Sequence, residues 1–353
     1  MEVELSRELL TDAPTEMLLI MALCALGMVA RHRVVPDDRS LWNPWVNKLP
    51  PALAEEVRYA WDEGERRIAE GGESERIVVR PSSPNFRQTP IQLPPIEALS
   101  LLGRPLQVVL ENGRNDRAFL LAFADRATRE AIVYAEDAGW LAFEMGGGIG
   151  EIALRIESAL GAKDDQIFRT MYLSDSDARE AGALSDEASR VQASLATLGA
   201  TFARYPSHFG RVLARRAAEN YAPPSAVLTW ARDAAGLDAW RLIAEAKSPA
   251  ERARLAIGAG TAGSARRRLL AAVALGELPT HLRGFIDMKH GREREDAIRT
   301  DDAVWNALDE YQKAALRDGF GGSFSVEFYG SQTELSDETK EISGFLGKIL
   351  ERL

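Results

Sequence analysis

Two aspartates, Asp175 and Asp177, have the spacing of metal ligands at the end of an apolar stretch. Residues 168–173 predict a buried strand of a parallel sheet, and ligand sites in such sheets open at the carboxyl ends of the strands. Residues two apart on a strand point to the same side, so both carboxylates could bind one divalent ion. The plainer alternative is a solvated loop at the strand end, because acids are common in turns.

Two glutamates could complete such a site. Glu111 ends the apolar run 106–110, which predicts another strand of the same unit. Phosphodiester hydrolysis needs a nucleophilic water and stabilisation of developing charge, and Mg²⁺ or Mn²⁺ held by carboxylates supplies both. We therefore expect Asp175 and Asp177 to bind an ion. Glu111 would complete its coordination or act as the general base, and Glu219 would hold a second ion or orient the ligands of the first.

Three basic residues are candidates for contact with substrate phosphates. Arg215 and Arg216 suit bidentate recognition of phosphate, and Lys289 is a weaker candidate for stabilising charge in the transition state. The two arginines and Glu219 also have plainer interpretations. The arginines would be ordinary helix-surface residues, and Glu219 would be an exposed helix acid.

Charge is unevenly distributed along the chain. The formal net charge is -10, but residues 130–190 carry 5 basic and 13 acidic groups, whereas residues 200–294 carry 16 basic and 8 acidic groups. An acidic pocket beside a basic surface is what a metal-dependent enzyme acting on a polyanion requires. Solvated helix faces are the alternative explanation.

The elements that would position these residues lie between residues 105 and 225. Helical spacing at 116–126, 151–160 and 185–198 alternates with the two strands above and with apolar runs at 131–134, 140–143 and 200–205 that predict further strands. Alternation of strand and helix favours a parallel sheet with helices on both faces. The predicted fold class is therefore α/β, with a catalytic domain at 105–225.

The flanking regions predict mainly helical structure. Residues 1–104 indicate an accessory region with helices at 17–30 and 51–70, and residues 226–353 a set of helices separated by proline and glycine. Residues 324–329 predict one edge strand, and residues 337–353 an amphipathic helix that could pack inside the chain or against a partner.

Composition is that of a cytoplasmic globular protein. The apolar run 17–30 has 14 residues, too few to cross a bilayer, and it follows an acidic segment rather than the basic start of a signal peptide. Cys24, the single cysteine, lies within this run and excludes an intramolecular disulfide. We predict that it is buried.

Between residues 105 and 225 the sequence resembles the TOPRIM family, the catalytic domain of type IA and type II topoisomerases, primases and OLD-type nucleases. In that family a strand ends in Glu with Gly close behind, a glycine-bearing turn follows the middle strand, and a later strand ends in Asp-x-Asp. Glu111, the glycines of 146–150, and Asp175 with Asp177 occupy those places in order. Asn112 departs from the pattern, because it separates Glu111 from the glycine.

A second motif extends the resemblance beyond the acids. Arg216-x-x-Glu219-Asn220-Tyr221 is similar to a signature of standalone TOPRIM nucleases allied to the OLD group. The resemblance implies a Mg²⁺- or Mn²⁺-dependent endonuclease, acting on DNA more readily than on RNA, in bacterial defence against phage. Since OLD-type nucleases work with an ATPase, it also implies a separate ATPase or sensor subunit that docks on the N-terminal region or the terminal helix.

Other functions are compatible with the same residues. The segment 258–264 matches glycine-rich phosphate-loop patterns, but it follows a predicted helix and lacks the P-loop lysine. A TOPRIM-fold binding or regulatory subunit that does not cleave is one alternative, and a primase-type nucleotidyl transferase is another. A homo-oligomer is left open.

Overall fold

The computed structural model describes residues 1–12, 17–28, 32–70, 75–162, 165–246, 248, 251, 264–286, 288, 310–319 and 326–353. Within them the strands form two four-stranded sheets, and every strand pair is parallel. The two sheets share one topology, in which the first strand of each lies between the second and the third. The predicted α/β class is confirmed.

The first sheet lies in the N-terminal region, where most of the regular structure is helical as predicted but where the sequence predicted no sheet. Its strands are β1 (Glu2–Leu5), β2 (Arg33–Pro36), β3 (Arg76–Val79) and β4 (Ile91–Leu93), in the order β2-β1-β3-β4. Each strand has only three or four residues and alternates buried with less buried positions. Helices surround this sheet: α1 (Arg7–Asp12), α2 (Met17–Met28), α3 (Arg39–Val46), α4 (Pro51–Glu70) and α5 (Pro95–Gly103).

The second sheet carries the candidate site. Its strands are β5 (Leu106–Leu110), β6 (Leu141–Met145), β7 (Thr170–Ser174) and β8 (Gly210–Val212), in the order β6-β5-β7-β8. Five buried residues in a row make up β7, as expected for a strand covered on both faces. Its helices are α6 (Gly113–Phe123), α7 (Arg126–Asp137), α8 (Ile149–Ala162) and α9 (Asp186–Phe202).

Two of the predicted strands in this unit were wrong. Residues 131–134 lie inside α7, where the buried Ile132 and Ala135 are spaced as on one face of a helix. Residues 200–205 contain the end of α9 and a loop, and the fourth strand is β8 instead.

The C-terminal region is helical in its described parts. Its helices are α10 (Pro224–Ala235), α11 (Leu237–Ala244), α12 (Ser264–Glu277), α13 (Thr280–Arg283), α14 (Glu310–Gly319), α15 (Val326–Ser331) and α16 (Glu341–Arg352). The predicted edge strand at 324–329 was wrong, because the described part of that segment belongs to α15. No helix in the described ranges is long and apolar enough to cross a membrane.

Two hydrophobic cores meet on opposite faces of the second sheet. Val108 and Leu173 face a core that includes α6, α7 and the apolar side of α16. Val109 and Tyr172 face a core that continues through α8 and α9 into the first sheet. The second sheet therefore lies between the N-terminal region on one face and the C-terminal helices on the other.

Candidate active site

Glu111 and Asp175 come together at the carboxyl edge of the second sheet. Glu111 directly follows β5 and Asp175 directly follows β7, two paired strands in which Leu110 lies opposite Leu173. The backbone N–H of Asp175 donates to Glu111 Oε2, with 3.4 Å between the two atoms. The chain runs from β5 to β6 on one side of β5 and then from β6 to β7 on its other side. The carboxyl ends of β5 and β7 therefore form the switch point at which α/β sheets bind ligands, and these two acids lie there.

Asp175 is held in place by the loop that follows β8. Its side chain is only 4% exposed, and Oδ1 accepts a hydrogen bond of 3.0 Å from the backbone N–H of Ala218. A carboxylate that accepts a backbone N–H is stabilised in its charged form. The residue is therefore a fixed, buried acid and not part of a solvated loop.

Asp177 is positioned differently from the expectation. Since β7 ends at Ser174, strand alternation does not set the directions of the two aspartate side chains. Asp177 is half-buried and has a φ of 47°, a left-handed conformation that few residues other than glycine adopt. The turn is fixed by the carbonyl of Arg216, which accepts from the N–H groups of Ser176 at 3.1 Å and Asp177 at 2.9 Å.

Glu219 lies in the 3-10 turn Ala218–Tyr221 and is 2% exposed, so the interpretation as an exposed helix acid was wrong. Its neighbourhood is marked by Tyr329, whose side chain is 1% exposed. Burial and the negative charges of Glu219, Asp116 and Asp175 raise the pKa of Tyr329 well above its ordinary value. In the described part of the chain the Tyr329 hydroxyl has no hydrogen-bond partner. Three carboxylates therefore act on one buried hydroxyl.

Asp116 is the acid that the sequence interpretation missed. It lies in the first turn of α6, is 8% exposed, and accepts a hydrogen bond of 2.8 Å from the backbone N–H of Asn112. Helix α6 begins immediately after the strand end, so its first turn shares the edge with Glu111. The signal that could have identified it is an acid in the first turn of a helix that starts beside a candidate ligand.

A glycine allows the chain to pass close to this strand end. A Cβ atom on Gly146 would lie 2.9 Å from the carbonyl oxygen of Leu110 and 2.7 Å from the side chain of Ile152. Gly147 and Gly148 have φ values of 90° and 107°. The glycine turn at 146–150 is thus required by close approach and by left-handed backbone before α8.

The two arginines are not ordinary surface residues. Arg215 donates to the carbonyl of Asn220 at 2.8 Å, and its guanidinium lies 5.0 Å from the ring centre of Tyr221. It lines a cleft together with Glu219 and Arg283. Arg216 is buried, and its backbone carbonyl holds the turn at Asp177. The remaining basic candidate, Lys289, lies outside the described residues.

Asn220, the central residue of the signature, ties this loop to the C-terminal helices. Its Oδ1 accepts from the N–H of Ala217 at 3.2 Å, and its Nδ2 donates to the carbonyls of Arg283 at 3.0 Å and Ile286 at 2.9 Å. The signature therefore builds a rigid loop against the turn that contains Asp175 and Asp177.

The types of ligand atom at this edge suit a hard cation. The arrangement of the side chains supports a metal site less well. Buried carboxylates are the ligands that Mg²⁺ and Mn²⁺ prefer, and the Tyr329 hydroxyl adds an oxygen that the described side chains leave unsatisfied. Across the described ranges, however, no group of three or more His, Cys, Asp or Glu side chains is arranged to hold a metal ion.

No family model, curated protein or solved structure matches the chain. What the site does must therefore be inferred from its own residues.

Proposed function

We propose that this protein is a metal-dependent nuclease that hydrolyses phosphodiester bonds, with a TOPRIM-like site at the carboxyl edge of the second sheet. One observation carries the proposal. Glu111 and Asp175 end two paired parallel strands at the switch point of the sheet, and the Glu111 carboxylate lies 3.4 Å from the backbone nitrogen of Asp175. The order of these acids, the glycine turn and the later signature is the order that the TOPRIM resemblance requires.

The acids divide into two groups by the elements that carry them. Asp175, Asp177 and Glu111 follow the strand ends and would bind Mg²⁺ or Mn²⁺, whereas Glu219 lies in the loop after β8 and Asp116 in the first turn of α6, where they would orient those ligands or help to hold a second ion. When bound, the ion supplies positive charge that stabilises the phosphoryl and leaving oxygens. Glu111 is only half-buried, so it can accept a proton from the attacking water.

A nucleic acid is the substrate that the charge distribution favours. Residues 200–294, which include the loop beside the acids, carry 16 basic and 8 acidic groups. Arg215 and Arg283 line the cleft that contains Glu219, where they could contact phosphate. We propose DNA before RNA, and a cytoplasmic role in defence against phage, on the TOPRIM resemblance alone.

A separate ATPase or sensor subunit is part of the same proposal. Of the two docking places considered from the sequence, the terminal helix α16 is unsuited, because its apolar residues Ile342, Phe345, Leu346 and Ile349 are buried within the chain. The N-terminal region remains as the proposed docking place.

Nicking of supercoiled plasmid in the presence of Mg²⁺ or Mn²⁺ tests the proposal. The Asp175→Asn plus Asp177→Asn double variant should lose nicking, while asparagine keeps an oxygen that can accept from the N–H of Ala218. Asp125→Asn is the matched control, because Asp125 is an exposed cap of α7 away from this edge and asparagine caps equally well. Cleavage by the double variant at the wild-type rate would refute the assignment.

A second candidate function is a binding or regulatory subunit that keeps the fold without cleaving. The absence of a ready-made ligand group among the described residues favours it. Calorimetric titration with Mn²⁺ separates the two candidates. A nuclease should bind the ion in a manner that depends on Asp175, and a non-cleaving subunit should show no such binding.

A further inference from the structure

The terminal helix begins beside the loop that supports the acids. Glu341, the first residue of α16, is 6% exposed and is far from the candidate ligands in sequence. Its Oε1 accepts a hydrogen bond of 3.1 Å from the backbone N–H of Ala214 and lies 3.5 Å from the guanidinium of Arg211. Glu341 therefore contacts the segment between β8 and the signature.

Tyr221 connects Glu341 to that segment a second time. Its hydroxyl donates to Glu341 Oε2 and accepts a hydrogen bond of 3.0 Å from the backbone N–H of Arg215. Burial and the charge of Glu341 raise the pKa of Tyr221, so the hydroxyl stays protonated and remains a donor. The ring is also fixed, since it packs edge-on against Phe119 and Phe123.

The same segment then contacts the turn of the two aspartates directly. The carbonyl of Arg215 accepts a hydrogen bond of 2.7 Å from the Ser176 hydroxyl, and the carbonyl of Arg216 accepts from the N–H groups of Ser176 and Asp177. A continuous path of hydrogen bonds thus runs from Glu341 through Tyr221 and the backbone of Arg215 to the turn at 175–177.

We propose that Tyr221 and Glu341 are positioning residues, which hold the turn containing Asp175 and Asp177 in the geometry needed to bind a divalent ion. Their role in metal binding rests on the proposed function, whereas their role in ordering the turn does not. The terminal helix is then a support of the active site rather than a docking surface. Neither residue contacts the substrate in this account.

Conservative variants can test both parts. Tyr221→Phe removes only the hydroxyl and keeps the ring, and Glu341→Gln keeps an oxygen that can accept from Ala214. Matched controls are Tyr134→Phe, at an exposed tyrosine, and Glu351→Gln, in the last turn of the same helix where the acid pairs with Lys348. All variants are made in the full chain.

The first readout is hydrogen exchange measured by mass spectrometry. In Tyr221→Phe and in Glu341→Gln, peptides covering residues 174–178 should exchange about tenfold faster, while those covering β5 should be unchanged. The second readout is Mn²⁺ affinity by calorimetry, which should fall about tenfold, in line with the loss of outer residues that orient metal ligands. Because the Tyr221 hydroxyl links Glu341 to the N–H of Arg215, the two side chains are coupled, and the loss in the double variant should be smaller than the sum of the single losses.

The possible results distinguish the ordering of the turn from the binding of the ion. Unchanged exchange at 174–178 in both variants would overturn the inference, and so would additive losses in the double variant. Faster exchange in a protein whose wild type neither binds Mn²⁺ nor cleaves plasmid would support the ordering of the turn and would refute the proposed function. Faster exchange together with weaker Mn²⁺ binding supports both.

Discussion

The two edges of the second sheet are built in opposite ways. At the carboxyl edge, acids accept hydrogen bonds from backbone N–H groups, as Asp175 does from Ala218 and Glu111 from Asp175. At the amino edge, a buried arginine donates to backbone carbonyls. Arg352, in the last turn of α16, donates to the carbonyls of Phe168, Thr170 and His208.

The amino edge also joins the two sheets. Glu75, which precedes β3, lies 3.8 Å from the guanidinium of Arg352, 3.6 Å from that of Arg204 and 3.3 Å from Nε2 of His208. There one acid meets several basic side chains, whereas at the carboxyl edge several acids gather beside Arg215 and Arg216. We propose that the amino edge serves stability and the carboxyl edge serves chemistry, since carboxylates at the switch point of a parallel sheet suit a divalent ion.

The largest expected effect is on chemistry at the carboxyl edge. Glu111→Gln should lower plasmid cleavage at least about a thousandfold, or about 4 kcal/mol of transition-state stabilisation, because the variant can neither bind the ion as a carboxylate nor accept the proton. Stability to urea should not fall, since glutamine can still accept from the N–H of Asp175. Initial rates of nicking and urea unfolding curves measure the two quantities.

A control for this variant lies on the next strand of the same edge. Glu144 is near the end of β6, away from the switch point, and pairs with Arg155 at 3.6 Å. Glu144→Gln should cleave at the wild-type rate. Equal losses in the two variants would show that general acidity of the edge matters and that the switch point does not.

The amino edge should give the reverse result. Burial lowers the pKa of Arg352 to about 10, which still leaves it charged at neutral pH. Arg352→Met keeps the volume but leaves three buried carbonyls without their donor, so the free energy of unfolding should fall by about 3 kcal/mol. Urea unfolding at pH 7.5 measures the loss, and Mn²⁺ affinity of the folded variant should stay within about twofold of wild type.

Arg190→Met is the control, because Arg190 forms an exposed pair with Glu157 at 3.1 Å. It should change stability by less than about 1 kcal/mol. If Arg352→Met weakened Mn²⁺ binding and left the unfolding curve in place, the division between the two edges would be wrong.

The smallest expected effect is a pH dependence of the amino edge. Burial, and then the positive charges of Arg352, Arg204 and Lys348, lower the pKa of His208 to about 2, despite the nearby carboxylate of Glu75. The unfolded chain protonates His208 near its ordinary pKa of 6.5 and the folded chain does not. Above about pH 6.5, His208 therefore does not lower the free energy of unfolding. Below that pH the free energy of unfolding falls by roughly 1 kcal/mol per pH unit.

Urea unfolding between pH 7.5 and pH 5 checks this dependence. His208→Asn should flatten the loss of stability between these pH values, whereas substitution of the exposed His281 by asparagine should leave it as in wild type. A wild-type protein whose stability is the same at pH 7.5 and pH 5 would contradict the account of His208.

Long apolar runs explain which parts of the fold could be predicted from the sequence. Strands β5 and β7 were confirmed because each is a nearly continuous buried run, and the acids at their ends follow from the strands. The terminal helix, which was predicted from its apolar spacing, was also confirmed. These elements carry their signal in local sequence, which is why the place of Glu111 and Asp175 was predictable.

The missed elements are short and depend on distant partners. Strands of three or four residues in the first sheet have too few alternating positions to predict them. Strand β8 depends on packing. A Cβ atom on Gly210 would lie 2.4 Å from the carbonyl oxygen of Tyr172, so a glycine is needed for this strand to pair. No apolar run in the sequence predicts the strand. Asp116 and Tyr329 lie close to the site because α6 packs against α15, a contact between residues that are far apart in the sequence.

The acids at the carboxyl edge of the second sheet are proposed to bind a divalent ion. Anomalous scattering from a crystal soaked in Mn²⁺ tests this proposal directly. We expect a peak within about 2 Å of the carboxylate oxygens of Glu111 and Asp175, and we expect it to be lost in the Asp175→Asn variant. At saturating Mn²⁺, no peak at this edge, or one that persists in the variant, would contradict it.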